Sequence, residues 1–132
     1  RILAGMPIRA LVVDDSPAMR NFVSSVLEST QAYDVDEVGH GFEAIRRLPH
    51  GDYGLFVIDV NMPDLNGIEV VRTLREHPRH ARTAVVVMTT ESRLGDADRA
   101  RSAGASVVLT KPFTPAALLD AIDRAQRLAQ PG

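Results

Sequence analysis

Five short apolar runs, at Ile8–Val13, Tyr33–Val38, 55–58, 84–88 and 106–109, alternate along the chain with stretches whose apolar residues recur every three or four positions. A period near two and a period near 3.6 thus take turns from end to end. Leu55-Phe56-Val57-Ile58 and Val85-Val86-Val87-Met88 are apolar without a break. Strands read this way when both faces are buried, and in a parallel sheet that cover comes from helices on both sides. Tyr33–Val38 carries Asp34, Asp36 and Glu37, the pattern of an edge strand.

The helical stretches have their own punctuation. Ser16-Pro17 is a start signal, with Ser16 as N-cap and Pro17 at the first helical position. Met19, Phe22, Val23, Val26 and Leu27 then form one stripe. Thr114-Pro115 repeats the signal ahead of Leu118, Leu119, Ile122, Ala125 and Leu128 or Ala129. Gly67–Glu76 presents Ile68, Val71 and Leu74 or Val70, and a short helix at 42–48 stops at Pro49. The stretch 94–103 is the weakest: its inward face is mostly alanine (Ala97, Ala100, Ala103) and Gly95 lowers its helix propensity. Little buried apolar area makes it the helix most easily shifted. The alternation predicts five β/α units with right-handed crossovers, an α/β fold with a parallel five-stranded sheet.

Composition narrows the picture without changing it. A length of 132 residues suits one domain, and 45% hydrophobic residues suit an ordinary core. The expected domain is 8–129, with residues 1–7 disordered or a cloning remnant and Met6 a candidate native start. A net charge of −2 offers no basic surface for nucleic acid or for membranes. The absence of cysteine excludes disulfides, thiolate metal sites and cysteine nucleophiles. No apolar run approaches the roughly 20 residues of a membrane span, and no signal peptide is evident. A cytoplasmic protein is expected. The four histidines (His40, His50, His77, His80) have no metal-ligand spacing and read as surface residues.

The candidate chemistry lies where the apolar runs end. Asp14-Asp15, Asp59, Thr89-Thr90 and Lys111-Pro112 follow four of the five runs, and Asn61 lies two residues beyond Asp59. In a parallel α/β sheet these ends lie side by side, and the crevice outside them is where ligands bind. Two adjacent carboxylates suit a hard divalent cation such as Mg²⁺, though a helix N-terminal charge pair reads the same way. Asp59 closes a buried strand, so it must be paired, solvated or metal-bound. It is a candidate third ligand and a candidate nucleophile, since carboxylates form acyl phosphates. The Asn61 backbone carbonyl is a candidate for completing the metal shell, and Met62-Pro63-Asp64-Leu65-Asn66-Gly67 reads as a turn-rich loop in which Pro63 and Gly67 need be no more than punctuation. A hydroxyl at Thr89 or Thr90 is placed to donate to a phosphoryl oxygen, or simply to cap a strand. Lys111 is placed to neutralise a transferring group, and its bond to Pro112 is a candidate cis peptide.

On these residues the chain resembles a response-regulator receiver domain of two-component signalling, over about 8–128. The motifs are the acidic pair Asp14-Asp15, the Asp59-x-Asn61-Met62-Pro63 loop with Gly67, the Thr89 hydroxyl and Lys111-Pro112-Phe113. The stretch Val13-Asp14-Asp15-Ser16-Pro17-Ala18-Met19-Arg20 is similar to the chemotaxis-type, single-domain members. The resemblance implies a flavodoxin-like (βα)5 doubly wound sheet in the order 2-1-3-4-5; chemotaxis receivers are the known example of that order. It implies that Asp59 is the phosphoacceptor, fed by a sensor histidine kinase or phosphotransfer protein. It also implies that Asp14, Asp15, Asp59 and the Asn61 carbonyl hold Mg²⁺, and that Thr89 and Lys111 bind phosphoryl oxygens. Asn61 and Glu91 would flank the mouth and influence hydrolysis. A downstream protein partner is implied, without direct contact to nucleic acid or membrane, and with a monomer or a weak phosphorylation-dependent dimer as the assembly.

Two positions depart from the family. Val108 stands where an aromatic often acts as a rotating switch, and a β-branched valine is stiff at χ1. Thr90 stands where a very small residue is preferred, and narrows access to the site. Switching would then rest on the Thr89 loop and the 94–103 helix. Beyond its own phosphorylation and dephosphorylation, no enzyme activity is expected. The alternative is a phosphorylation-independent protein-interaction module of the same fold. A phosphatase with an aspartyl nucleophile would need a substrate pocket that short loops leave little room for, and no Gly-x-Gly-x-x-Gly or Walker loop follows the first run.

Overall fold

The computed structural model describes residues 5–90 and 95–129. Five strands, β1 (Ile8–Val13), β2 (Tyr33–Val38), β3 (Leu55–Asp59), β4 (Ala84–Thr90) and β5 (Val107–Lys111), form one parallel sheet in the order β2-β1-β3-β4-β5. Five helices connect them: α1 (Pro17–Ser29), α2 (Gly41–Arg47), α3 (Gly67–Glu76), α4 (Asp96–Ala103) and α5 (Pro115–Ala129), with a 3₁₀ turn at Pro78–His80 before β4. The doubly wound α/β fold and its 2-1-3-4-5 order are as expected. The start signals work as capping chemistry. The Ser16 side chain accepts the Met19 N–H, and the Thr114 hydroxyl accepts the Ala117 N–H at 3.1 Å.

Strict alternation along the strands divides the core into two layers. Ala10 and Val12, Leu55 and Val57, Ala84, Val86 and Met88, and Val107 and Leu109 pack with Val23 and Leu27 of α1 and Leu118, Ile122 and Ala125 of α5. Leu11, Val13, Phe56, Ile58, Val85 and Val87 pack on the other side with α2, α3 and α4, where Ile68, Val70, Val71 and Leu74 are all buried. Each fully buried Leu, Ile or Phe contributes about 1.5–3 kcal/mol relative to exposure. β2 is an edge strand, as its acidic residues predict; β5 forms the other edge.

β3, β4 and β5 end on Asp59, Thr90 and Lys111, the polar residues expected at the strand ends. Some local expectations are corrected. Within α4, Ala100 and Ala103 are buried and Ala97 is only half-buried; Asp96, not an alanine, closes the inner face at the start of the helix. Its Oδ1 pairs with Arg99. Leu128 is exposed, and Ala129 is the residue that packs inward. His80 is not a surface residue. It is completely buried, its Nε2 lies 3.1 Å from the Leu48 carbonyl, and its ring meets Phe56 edge-on at 5.1 Å. A histidine in a polar turn after Pro78 looks exposed in sequence, yet the turn folds back under α2 and β3. Burial lowers the His80 imidazole below its ordinary value, so the ring is neutral at pH 7.

Candidate functional site

The same alternation that builds the core assembles the site. Asp14 stands two residues after Val12, Asp59 two after Val57, and Lys111 two after Leu109, and all three predecessors lie in the α1/α5 layer. A period of two keeps residues i and i+2 on one face. Each polar side chain therefore continues a buried apolar row past its carboxyl end, on β1, β3 and β5, with β4 between the last two. The outcome is a compact cluster: the Lys111 ammonium lies 2.8 Å from Asp59 Oδ1 and 3.3 Å from Asp14 Oδ2. Asp14 and Asp59 are 1% and 4% exposed, whereas Asp15 is exposed at the rim. The Lys111–Pro112 peptide is cis.

Asp14 is fixed at every polar atom. Its N–H donates to the Val38 carbonyl at 3.2 Å, and its carbonyl accepts from Arg20 Nη1 at 2.6 Å. Its Oδ1 accepts the Ser16 N–H at 2.9 Å, and its Oδ2 takes the lysine. Asp59 is held by Lys111 through Oδ1 and by the backbone of the next residue, Val60. The Gly67 N–H donates to the Val60 carbonyl at 2.8 Å, and the Val60 N–H donates to Met88 at 3.0 Å. Burial pushes the Asp59 carboxyl up to about 6; the negative charges of Asp14 and Asp15 push the same way, and the Lys111 ammonium pulls against them. Burial alone would lower Lys111, but its hydrogen bond to Asp59 and the charges of Asp59 and Asp14 hold it above its ordinary value. A lysine charged at all working pH values and two carboxylates that need a counter-charge form a mutually dependent set.

One oxygen from each of Asp14, Asp15 and Asp59 can be chosen so that all lie within 4.8 Å of one another. An all-oxygen, carboxylate-rich donor set of this size suits a hard divalent cation that retains several waters. Asn61 follows β3 half-buried, at the start of the loop that leads to α3. The two threonines separate. Thr90 faces Lys111 across the β4–β5 register and follows Met88 on its face, whereas Thr89 is buried, follows Val87 on the opposite face, and donates from Oγ1 to the Thr90 carbonyl at 3.4 Å. Glu91 lies outside the described residues. Val108 is half-buried and lines an open cleft of about 300 Å³ with Arg101, Ser106, Val107, Arg124, Arg127 and Leu128, on the side of β5 away from the acidic cluster.

Two further residues touch this machinery without standing out in the sequence reading. Arg20 holds the Asp14 carbonyl, and Asp64 accepts the Gly41 and Phe42 N–H groups at 3.0 and 3.1 Å, tying the loop after β3 to α2. A signal for Arg20 existed: it is the only basic residue of α1 and sits near the amino end, where the helix dipole disfavours a cation.

A parallel α/β sheet with an acidic, lysine-clamped crevice at its carboxyl edge defines a class, and the comparisons give that class its family. Residues 10–123 match the response regulator receiver domain. Over 117 residues the chain is 33% identical to chemotaxis protein CheY1 of Helicobacter pylori, which covers 88% of this chain and 94% of that protein. The chemotaxis response regulator CheY4 of Vibrio cholerae shares its fold with a TM-score of 0.84 at 31% identity, over 91% of this chain and 99% of that one. The receiver domain of a Pseudomonas aeruginosa sensor histidine kinase, whose structure has a magnesium ion coordinated in its active-site cleft, gives a TM-score of 0.82 at 27% identity, over 94% and 98%. The chain belongs to the response regulator receiver domain family, the signalling modules of two-component systems. Among the described residues no helix is long and apolar enough to cross a membrane.

Proposed function

We propose that this chain is a working phosphoacceptor: Asp59 takes a phosphoryl group from a phosphohistidine on a sensor kinase or phosphotransfer protein, and the phosphorylated form has altered affinity for a downstream protein in the cytoplasm. The observation that carries this reading is the Lys111 ammonium held between Asp59 and Asp14, with Asp15 beside them. A scaffold without chemistry has no use for two buried carboxylates and a charged lysine at one sheet edge.

In the proposed step an Asp59 carboxylate oxygen forms a bond to phosphorus as the bond to the donor imidazole nitrogen breaks; that nitrogen keeps the electron pair and takes a proton. Phosphoryl transfer of this kind depends on positioning and charge neutralisation more than on covalent catalysis. Lys111 supplies one fixed positive charge to the transferring oxygens. Asp14, Asp15, Asp59 and the Asn61 carbonyl would hold Mg²⁺, which when bound neutralises the remaining negative charge. The Thr89 hydroxyl would exchange its bond to the Thr90 carbonyl for one to the phosphoryl group, and that movement would carry the start of α4 with it. The new charge of about two units makes the change energetically large. Asn61 and Glu91 would flank the attacking water in hydrolysis, and Thr90, opposite Lys111, would narrow access. With Val108 too stiff to swing, the output would rest on α4 and not on a rotating side chain.

Intact-protein mass spectrometry after incubation with acetyl phosphate and Mg²⁺ tests the reading. A single phosphoryl mass is expected, absent without Mg²⁺ and absent in Asp59→Asn. A chain that takes up neither the phosphoryl group nor Mg²⁺ is instead a receiver fold used as a binding scaffold.

A further inference from the structure

Arg20 is in an unfavourable place for a cation, near the amino end of α1, and no acidic residue of the first helical turn compensates it. Its guanidinium is nonetheless largely covered, its side chain being 21% exposed, and it leaves its own helix entirely. Nη1 donates to the Asp14 carbonyl at 2.6 Å, and Nε lies 3.4 Å from Glu37 Oε1 at the end of β2. Gly39 leaves room for it: a Cβ there would sit 3.0 Å from Nη1. The guanidinium thus ties α1, the end of β1 and the β2–α2 connection together at the peptide between Asp14 and Asp15. That peptide sets the direction of both carboxylates. Lys111 restrains Asp14 from the pocket side, through Oδ2, and Arg20 restrains it from behind, through the backbone.

We propose that Arg20 is a positioning residue for the acidic pocket: with Glu37 as its anchor, it fixes the β1–α1 turn so that Asp14 and Asp15 present their carboxylates together to a divalent cation. The inference rests on the metal-binding reading of the pocket. It assigns to β2, an edge strand without any pocket residue, a part in metal affinity through Glu37. It also explains a choice of side chain. A lysine reaches one acceptor at a time, whereas the guanidinium fork serves the carbonyl and the carboxylate at once.

Mg²⁺ titration by calorimetry of the parent chain, Arg20→Ala, Arg20→Lys and Glu37→Gln, with a thermal melt of each, reads the effect. Arg20→Ala is expected to weaken Mg²⁺ binding at least tenfold, with Arg20→Lys and Glu37→Gln falling between it and the parent. In the metal-free protein, amide exchange at Ser16, whose N–H donates to Asp14 Oδ1, is expected to quicken at least tenfold in Arg20→Ala while Leu11 and Val57 stay protected. A folded Arg20→Ala with Mg²⁺ affinity within twofold of the parent and unchanged Ser16 exchange overturns the proposal. If Arg20→Ala does not fold, Glu37→Gln decides: Mg²⁺ affinity and Ser16 exchange both at the parent level overturn it. Should the parent chain bind no Mg²⁺, the reading of the pocket fails, and Ser16 exchange alone still judges Arg20.

Discussion

At Gly67 a single missing side chain sets how closely a helix can approach the candidate phosphoacceptor. A Cβ built there would lie 2.0 Å from the Asp59 carbonyl oxygen and 3.0 Å from the Val60 Cα. Both obstacles are backbone, so no rotamer change relieves the clash. Gly39 makes the contrast: a Cβ there would sit 3.0 Å from Nη1 of Arg20, a side-chain atom at a tolerable distance and not backbone at 2.0 Å. Gly67→Ala is therefore expected to cost about 3 kcal/mol, the upper end of overpacking penalties, and to slow phosphorylation of Asp59 by displacing the end of β3. Urea denaturation and the acetyl phosphate assay measure the two effects, and Gly39→Ala should change stability by well under half as much. In the sequence alone Gly67 need be no more than loop punctuation. Its steric role appears only once α3 is docked on the end of β3.

At the scale of elements, α2 starts without a cap of its own. His40 occupies the N-cap position and makes no side-chain cap bond. The carboxylate of Asp64, in the loop after β3, accepts the N–H groups of Gly41 and Phe42 at 3.0 and 3.1 Å. Slight burial would raise the Asp64 carboxyl, but the amides of Phe42 and Gly41 hold it below its ordinary value, so this cap is intact at pH 7 and is lost only as pH falls below about 3.8 through the folded value. Asp64→Ala should cost about 1 kcal/mol, as N-cap removals do. It should also accelerate amide exchange at Gly41 and Phe42 without altering the protection of Val71 in α3; unchanged exchange at both amides would show the cap to be dispensable. The opposite side of the domain has a comparable tie. Arg75 of α3 donates from Nε to the Gly104 carbonyl and from Nη1 to the His80 carbonyl, each at 2.9 Å. The C-terminal end of α4 is thereby anchored to α3 and to the turn before β4.

The whole molecule carries titratable groups at both poles of the sheet, with opposite effects on stability. His80 is buried at the amino ends of the strands, where Arg75, Arg79, His77 and Asp52 surround it. Its folded value lies below 6.5, so its contribution is full above pH 6.5 and is lost as pH falls through 6.5 toward that lower value. Asp59, at the carboxyl ends, has a folded value raised to about 6, so the cost of its buried charge is fully present above pH 6 and is relieved as pH falls toward 3.8. The two partly cancel in the native chain. Metal-free protein in EDTA should therefore show a shallow change in urea midpoint between pH 7.5 and 5.5. His80→Gln should gain stability relative to the parent as pH falls across that window, and parallel curves for the two proteins would remove the buried histidine from the account.

Much of the fold was legible along the chain because strand and helix periods differ, and short, β-branched, continuous apolar runs read as strands covered on both faces. The candidate site was legible for a related reason: polar residues that close such runs have nowhere to go but the carboxyl edge of the sheet. Sequence also contained the capping signals at Ser16 and Thr114, which act locally. What it did not contain were distances between elements remote in sequence. The burial of His80, the steric demand at Gly67, the capping of α2 by Asp64 and the anchoring of Arg20 by Glu37 each join separate elements, and the sequence does not show these contacts. Tertiary structure also decided where β3, β4 and β5 end, because pairing in register carries each strand beyond its apolar run: Asp59 pairs with Met88, and Thr90 with Lys111. The chain itself determines which residues reach the crevice; packing alone decides what holds them there.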